Sequence, residues 1–167
     1  MIFSAESHGR LGGKSAGLYL AAQILKNRAE ELSELGKIKT PKTWHITSDM
    51  QLNFMHYNNF DEIVEQKYKE ISQVRFEYPH IVHTCKNSRF PPELTQGLSV
   101  ALDDFGERPL IVRSSSVLED RVGAAFSGKY KSLFLANQGT KKERLEALQD
   151  AIAEVYASMF GPDPIEY

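Results

Sequence analysis

Apolar residues recur every three or four positions in three segments of the chain, a spacing that predicts amphipathic helices. The first segment follows a glycine-rich turn and ends near Gly36; its apolar face comprises Leu18, Ala22, Leu25, Ala29 and Leu32. The second opens on a proline pair and has Gly106 as a natural C-cap; its apolar face comprises Leu94, Leu98, Leu102 and Phe105. The third lies near the C-terminus; its apolar face comprises Leu145, Leu148, Ile152, Val155 and Met159. These three segments are expected to cover a shared core.

Two further helical regions are predicted from end signals and polarity. Ser48 with Gln51 three residues later has the form of a capping box, which predicts a helix from Asp49 through His56. The polar stretch from Asn58 favours one or two solvated helices that end near Pro79, because proline interrupts helical hydrogen bonding.

Short runs of β-branched, aromatic and aliphatic residues predict strands. A first is expected at Trp44–Thr47, a second at Leu110–Val112, and a third within Gly128–Asn137. Alternation of such strands with helices predicts an α+β (mixed α/β) fold, with helices packed on a small, mostly antiparallel sheet.

Composition narrows the class of protein. The chain has 167 residues, 41% of them hydrophobic and 25% charged, as in an ordinary soluble globular domain. A formal net charge of -2 gives no reason to expect nucleic acid or an anionic membrane as a partner. There is no apolar run long enough to span a bilayer, and Cys85 is the only cysteine. We expect a cytoplasmic protein without disulfides.

The stretch Gly12–Ser15, "GGKS", resembles the end of a phosphate-binding P-loop. The P-loop motif requires a glycine five positions before Gly13, and His8 stands there instead. The simpler interpretation is a glycine-rich turn that opens a helix. That interpretation still permits anion binding, because the start of a helix favours negative charge and Lys14 adds a cation.

A second stretch, "LIVRSSS", places Arg113 and three serines at the end of an apolar strand, ahead of a small-residue loop. Arginine, hydroxyl groups and close-approaching backbone N–H groups are what a polyphosphate requires. A strand that reaches water and a plain hairpin explain the same residues. From the residues alone, both interpretations stay open.

Four motifs in order make the chain resemble the N-terminal nucleotide-binding domain of phosphoenolpyruvate synthase, pyruvate phosphate dikinase and their relatives. The first motif matches Gly12, Gly13, Lys14, Ala16 and Leu18. The second matches Val112, Arg113, Ser114, Ser115, Glu119 and Asp120. The third matches Ala125, Phe126, Ser127 and Gly128, and the fourth Ser158, Met159, Phe160 and Pro162. Together they extend over nearly the whole chain.

This resemblance implies an ATP-grasp-like nucleotide site. Lys14 and Arg113 are expected to bind the phosphates of ATP, with Arg113 as the catalytic residue that stabilises charge on the transferred group. Gly128 is expected to contribute a backbone N–H group, and Ser132 to occupy a nucleotide-contacting position. Glu119 and Asp120 are expected mainly to order the loop.

The resemblance also implies an activity and partners for a longer protein, of which residues 1–167 are expected to be the N-terminal, truncated part of the nucleotide-binding domain. That protein is expected to move phosphate from ATP, with Mg²⁺, to a histidine on another domain, and then to pyruvate or a similar acceptor. The metal ligands are expected outside this chain, which alone is expected to be inactive. His80 and His83 lack a third ligand nearby, so no metal site is predicted.

Two alternatives to the dikinase-like enzyme remain at this point. One is a non-catalytic, nucleotide-sensing or regulatory module on the same fold. The other is a purely structural or interaction domain, in which Lys14 and Arg113 merely lie at the ends of elements. The latter predicts that these two residues are far apart in the folded chain or turned into unrelated ion pairs.

Overall fold

The computed structural model describes residues 9–28, 38, 40–115 and 130–166. In chain order the helices and strands are α1 Gly13–Asn27, α2 Ser48–Tyr57, α3 Asp61–Val64, α4 Ile71–Lys86, α5 Pro92–Phe105, β1 Leu110–Arg113, β2 Ser132–Leu135, α6 Lys141–Ser158 and α7 Pro162–Glu166. A turn of 3₁₀-helix, Glu65–Tyr68, links α3 to the segment before α4.

The sheet is an antiparallel pair of strands in which Leu110 faces Leu135 and Arg113 faces Ser132. Helix α6 packs against both strands and against α4 and α5. Because side chains alternate along a strand, one face of the pair turns towards the core and the other towards solvent. The prediction of an α+β fold with helices on a small antiparallel sheet is confirmed.

The core lies between α2, α4, α5 and α6. Its buried members are Phe54, Met55, Ile81, Cys85, Leu94, Leu98, Leu102, Leu148, Ile152, Ala153, Tyr156 and Ala157. Phe54 lies at its centre, with its ring centroid 4.9 Å from that of Phe90 and 5.5 Å from that of Tyr156. Apolar stripes on α5 and α6, read from helical spacing, supply much of this cluster.

Several predicted elements are confirmed. Helix α5 begins at Pro92 and is followed by Gly106, whose φ of 65° and ψ of -139° form a backbone conformation that essentially only glycine adopts. Helix α6 contains the predicted C-terminal stripe as far as Val155, and Met159 is its C-cap residue. The N-terminal helix also forms, but no residue of α1 is fully buried, and positions 29–37, including the predicted stop at Gly36, lie outside the described residues.

The expected strand at Trp44–Thr47 is wrong. In this segment only His45 makes a β-bridge, and Thr47 is the N-cap of α2. The Trp44 indole instead donates a 2.7 Å hydrogen bond to the Asp104 carboxylate, and Lys42 binds the same carboxylate at 2.6 Å. These bonds attach the segment to the end of α5 rather than to the sheet.

The predicted capping box is also wrong, although its helix is confirmed. Helix α2 begins at Ser48 itself, and no side chain caps its start. The Ser48 hydroxyl accepts a hydrogen bond from the Arg10 N–H at 3.1 Å, and the Gln51 amide lies 2.8 Å from the Met159 sulfur. Both side chains are therefore engaged in tertiary contacts.

Pro79 does not end a helix. It lies inside α4, which continues to Lys86. A proline in a helix interior removes the hydrogen bond to the carbonyl four residues earlier. Burial of Val74, Ile81 and Cys85 on either side of Pro79 outweighs that loss, because these residues hold both halves of α4 against the rest of the domain.

Candidate functional site

The start of α1 lies directly against the end of β1. The Ser15 N–H donates a 2.9 Å hydrogen bond to the hydroxyl of Ser115, which lies 100 residues further along the chain. The backbone of Gly12 approaches the Ser115 carbonyl so closely that a Cβ on Gly12 would overlap its oxygen. The "GGKS" turn and the "RSSS" strand end are therefore in contact.

A second contact holds the same turn from the side of α2. Ser48 makes two hydrogen bonds with the backbone of Arg10, one through its hydroxyl at 3.1 Å and one through its N–H at 3.3 Å. Gly9 lies so close to Asp49 that a Cβ there would overlap the carboxylate. The segment that leads into α1 thus lies between the first turn of α2 and the end of β1.

Arg113 and Ser132 face each other across the β1–β2 ladder, on the exposed face of the sheet. Directly opposite pairs on one face of an antiparallel ladder have Cβ atoms about 4.5–5.5 Å apart, so one ligand can contact both side chains. The same face carries Ile111 and Phe134, which are 47% and 82% exposed. The apolar run at Leu110–Val112 is consequently only half-buried.

The end of α6 supports the start of β2. The Ser158 hydroxyl donates to the Val155 carbonyl at 2.7 Å and accepts from the Lys131 N–H at 3.3 Å. Lys131 is the residue immediately before Ser132. The motif around Ser158 therefore contacts the strand that bears Ser132, and α6 is itself held by its capping box, formed by Thr140 and Glu143.

The predicted site residues fall into two groups. The first group lies close to the contacts just described. Lys14 directly precedes Ser15 at the start of α1. Arg113 and Ser132 occupy facing positions of the sheet, and Arg113 lies two residues before Ser115. Lys14 is half-buried, while Arg113 and Ser132 are exposed. Gly128, together with Glu119 and Asp120, lies outside the described residues, so its expected contact stays a prediction.

The same residues lie within a match to a protein-family model. The family described as "Pyruvate phosphate dikinase, AMP/ATP-binding domain" matches residues 8–167. The chain belongs to this family. Neither the curated proteins nor the solved structures with which it was compared give a significant match. Residues 8–167 thus belong to the AMP/ATP-binding domain of the pyruvate phosphate dikinase family. Within them, the Ser15–Ser115 bond joins the "GGKS" turn to the residues that follow β1.

Two residues that shape this region were not predicted to act there. The motif that contains Ser115 predicts no separate role for it, and the capping-box pattern predicts only a local role for Ser48 at the start of α2. The sequence does hold one signal for the first: α1 begins after Gly12, which has no side chain to accept a first-turn N–H. A helix start without its own cap requires an acceptor from elsewhere.

A separate open groove of about 700 Å³ lies away from this region, along α4 and α6. Two cations, Lys86 and Arg89, and two carboxylates, Glu146 and Asp150, line it, and Lys86 is ion-paired with Asp150 at 3.0 Å. Because the positive and negative side chains are equal in number, the groove offers little net charge to an anion. The motif residues at α1, β1 and β2 are therefore the better candidates for a nucleotide site.

Within the described ranges, no group of three His, Cys, Asp or Glu side chains is arranged to hold a metal ion. His80 and His83 both lie on α4 and are exposed. None of the helices described is long and apolar enough to cross a membrane.

Proposed function

We propose that this domain binds the phosphates of ATP where the start of α1 meets the end of β1, and that it serves a phosphoenolpyruvate synthase- or dikinase-like phosphotransferase. The observation that carries the proposal is the Ser15–Ser115 contact, which joins the lysine-bearing turn to the arginine-bearing strand end. Membership of an AMP/ATP-binding family supports the choice of ligand.

The residue types suit a polyphosphate. Lys14 lies in the first turn of a 15-residue helix, where the aligned peptide dipoles already favour an anion. Arg113 presents a planar guanidinium on an exposed sheet face, a geometry that can donate two parallel hydrogen bonds to one phosphate. Ser132, directly opposite, adds a hydroxyl within reach of the same oxygens.

In the proposed reaction, phosphate passes from ATP to a histidine on a separate domain and then to pyruvate or a similar acceptor. Arg113 stabilises the negative charge that develops on the transferred group, and Lys14 holds the phosphates in place. Gly128 contributes a backbone N–H group to the phosphates. Mg²⁺ accompanies ATP in this proposal, and its carboxylate ligands lie in the remaining part of an ATP-grasp-like fold.

Isothermal titration calorimetry with ATP and Mg²⁺ tests the site. We expect the Lys14→Ala and Arg113→Ala variants each to bind ATP more than about tenfold more weakly than the unchanged chain. Arg108→Ala and Lys142→Ala are the matched controls. Arg108 precedes the opposite end of β1, and Lys142 lies on α6 with its side chain 84% exposed.

Equal ATP affinity in all four variants would exclude this site. Weakening by the two control substitutions alone would place the nucleotide elsewhere. If ATP binds as expected, incubation of a longer protein that includes the histidine domain with ATP labelled in its phosphates then tests transfer. A phosphohistidine supports the enzyme, whereas binding without transfer is the outcome expected of a nucleotide-sensing module.

A further inference from the structure

We propose that Ser115 is a positioning residue, which caps α1 from a distant part of the chain and thereby sets the placement of Lys14 relative to Arg113. This inference rests on the proposed function for its consequence in ATP binding. Its structural part, the capping of α1 by Ser115, stands on the contacts of Gly12, Ser15 and Ser115 alone.

The hydrogen bond has the form of a helix cap. An N-cap serine or threonine accepts a hydrogen bond from the N–H of the second or third helical residue. Ser15 is the third residue of α1, and Ser115 accepts its N–H at 2.9 Å. The residue in the N-cap position, Gly12, has an extended backbone and makes no side-chain cap bond. Ser115 supplies the acceptor that Gly12 lacks.

The absence of a side chain on Gly12 is what allows this arrangement. Any Cβ at that position would overlap the Ser115 carbonyl oxygen and approach its hydroxyl. A serine or threonine N-cap in place of Gly12 would therefore separate α1 from β1. Gly12 leaves the space that Ser115 occupies, and Ser115 supplies the cap that Gly12 cannot.

The hydrogen bond between Ser15 and Ser115 connects the segment that bears Lys14 to the segment that bears Arg113. Ser115 lies two residues after Arg113, and its partner Ser15 directly follows Lys14. The cap also limits which N–H groups can bind phosphate. The Ser15 N–H is taken by Ser115, and the Ala16 N–H donates to the Gly12 carbonyl at 2.9 Å. The first turn of α1 can thus offer a phosphate at most the N–H groups of Gly13 and Lys14.

Amide hydrogen exchange and ATP titration on three forms of the chain test the inference. The forms are the unchanged chain, Ser115→Ala and Ser115→Thr, the last of which keeps a hydroxyl acceptor. Without nucleotide, we expect the Ser15 amide to exchange about fivefold faster in Ser115→Ala, a factor typical of a lost cap. We expect Ser115→Thr to restore most of the protection.

With ATP and Mg²⁺, we expect Ser115→Ala to weaken binding by about fivefold and Ser115→Thr to recover most of that loss. Because Ser115 acts through Lys14, Ser115→Ala should weaken a Lys14→Ala chain by less than about twofold. A substitution that merely lowers overall stability would not show this coupling. The α6 amides serve as an internal reference for global unfolding.

Unchanged exchange at Ser15 in Ser115→Ala would overturn the cap. Faster exchange with unchanged ATP affinity would overturn the positioning role and leave the cap as a local bond. Equal weakening of ATP binding by Ser115→Ala and Ser115→Thr would show that the Ser115 hydroxyl is not what supports ATP binding, and would overturn the positioning role. If the unchanged chain fails to bind ATP, the proposed function fails, and the Ser15 exchange rates alone then decide whether Ser115 caps α1.

Discussion

Gly12 and Ser115 lie in direct backbone contact, although they are 103 positions apart in the chain. The backbone of Gly12 is extended, with φ of -71° and ψ of 167°, a conformation that any residue adopts. The glycine is therefore required by space and not by backbone conformation. This contact holds the start of α1 against the end of β1, beside the proposed phosphate site.

Substitution of Gly12 by alanine is expected to lower stability, because the new Cβ overlaps the Ser115 carbonyl and forces α1 away from β1. The loss of the Ser115 cap alone is worth about 1 kcal/mol. Gly17→Ala is the matched control, since a Cβ there meets no atom of the described residues within 4 Å. It should stabilise the exposed helix by about 0.5–1 kcal/mol. Urea unfolding measures both; a loss of stability in both variants would contradict the steric explanation.

Helix periodicity made much of this fold predictable. The stripe from Leu94 to Leu102 and the stripe from Leu145 to Ile152 are both visible as residue spacing, and both supply buried core residues. Gly106 was also predictable as a helix end, because a positive φ at that position favours glycine. Local patterns sufficed wherever the stabilising contacts are repeated at helical spacing.

Prediction failed where a distant partner decided the structure. Trp44 has strand-forming character, yet its indole binds Asp104 at the end of α5. Ser48 has the form of a helix cap, yet its hydroxyl binds Arg10. Pro79 normally ends a helix, yet α4 continues through it. In each case the partner lies outside the local window that sequence patterns describe.

The candidate site was predictable as a set of residues, but not as a geometry. Resemblance to a family singled out Lys14, Arg113 and Ser132 by motif. The pairing of Arg113 with Ser132 depends on strand register, and a shift by one residue would turn every side chain to the other face. The Ser15–Ser115 bond depends on how α1 docks, which no periodicity encodes.

Glu77 is expected to make stability depend on acid pH. Hydrogen bonds from Lys69, Gln66 and Gln73 lower the pKa of its carboxyl from 4.5 to about 2. Since the pKa is lower in the folded chain, the unfolded chain takes up the proton first. The stabilisation is therefore present above about pH 4.5 and is lost as the pH falls towards 2.

Glu77→Gln tests this dependence through urea unfolding at several pH values. We expect the unchanged chain to exceed the variant in unfolding free energy at pH 7, and the difference to shrink between about pH 4.5 and 2. Glu146→Gln is the control, because the Glu146 side chain is 62% exposed and its carboxylate lies 3.8 Å from the Lys142 ammonium group, a long and solvated ion pair. A constant difference across this range for Glu77→Gln would exclude the ion-pair network as its cause.

Thr140 is expected to stabilise the start of α6 through its capping box. Its hydroxyl accepts the Glu143 N–H, and the Glu143 carboxylate accepts the Thr140 N–H at 2.8 Å. Thr140→Ala should lower the unfolding free energy by about 0.5–2 kcal/mol. Thr140→Ser keeps the hydroxyl acceptor and should therefore lose only a small part of that free energy. Urea unfolding at pH 7 measures both. Equal losses in the two variants would mean that the threonine methyl, and not the cap, is responsible.

Phe54 is expected to be one of the most sensitive positions of the core. Its side chain is fully buried, and its ring packs against those of Phe60, Phe90 and Tyr156. Phe54→Ala removes these contacts and leaves a cavity, which should lower the unfolding free energy by about 3–5 kcal/mol. Phe76→Ala is the matched control, because Phe76 is 86% exposed and its loss should change stability by less than about 0.5 kcal/mol. Urea unfolding of both variants distinguishes the two positions. Similar unfolding free energies for Phe54→Ala and Phe76→Ala, both close to that of the unchanged chain, would mean that Phe54 does not pack in the core as described. A large loss of unfolding free energy in Phe76→Ala would show that the Phe76 side chain is covered in solution.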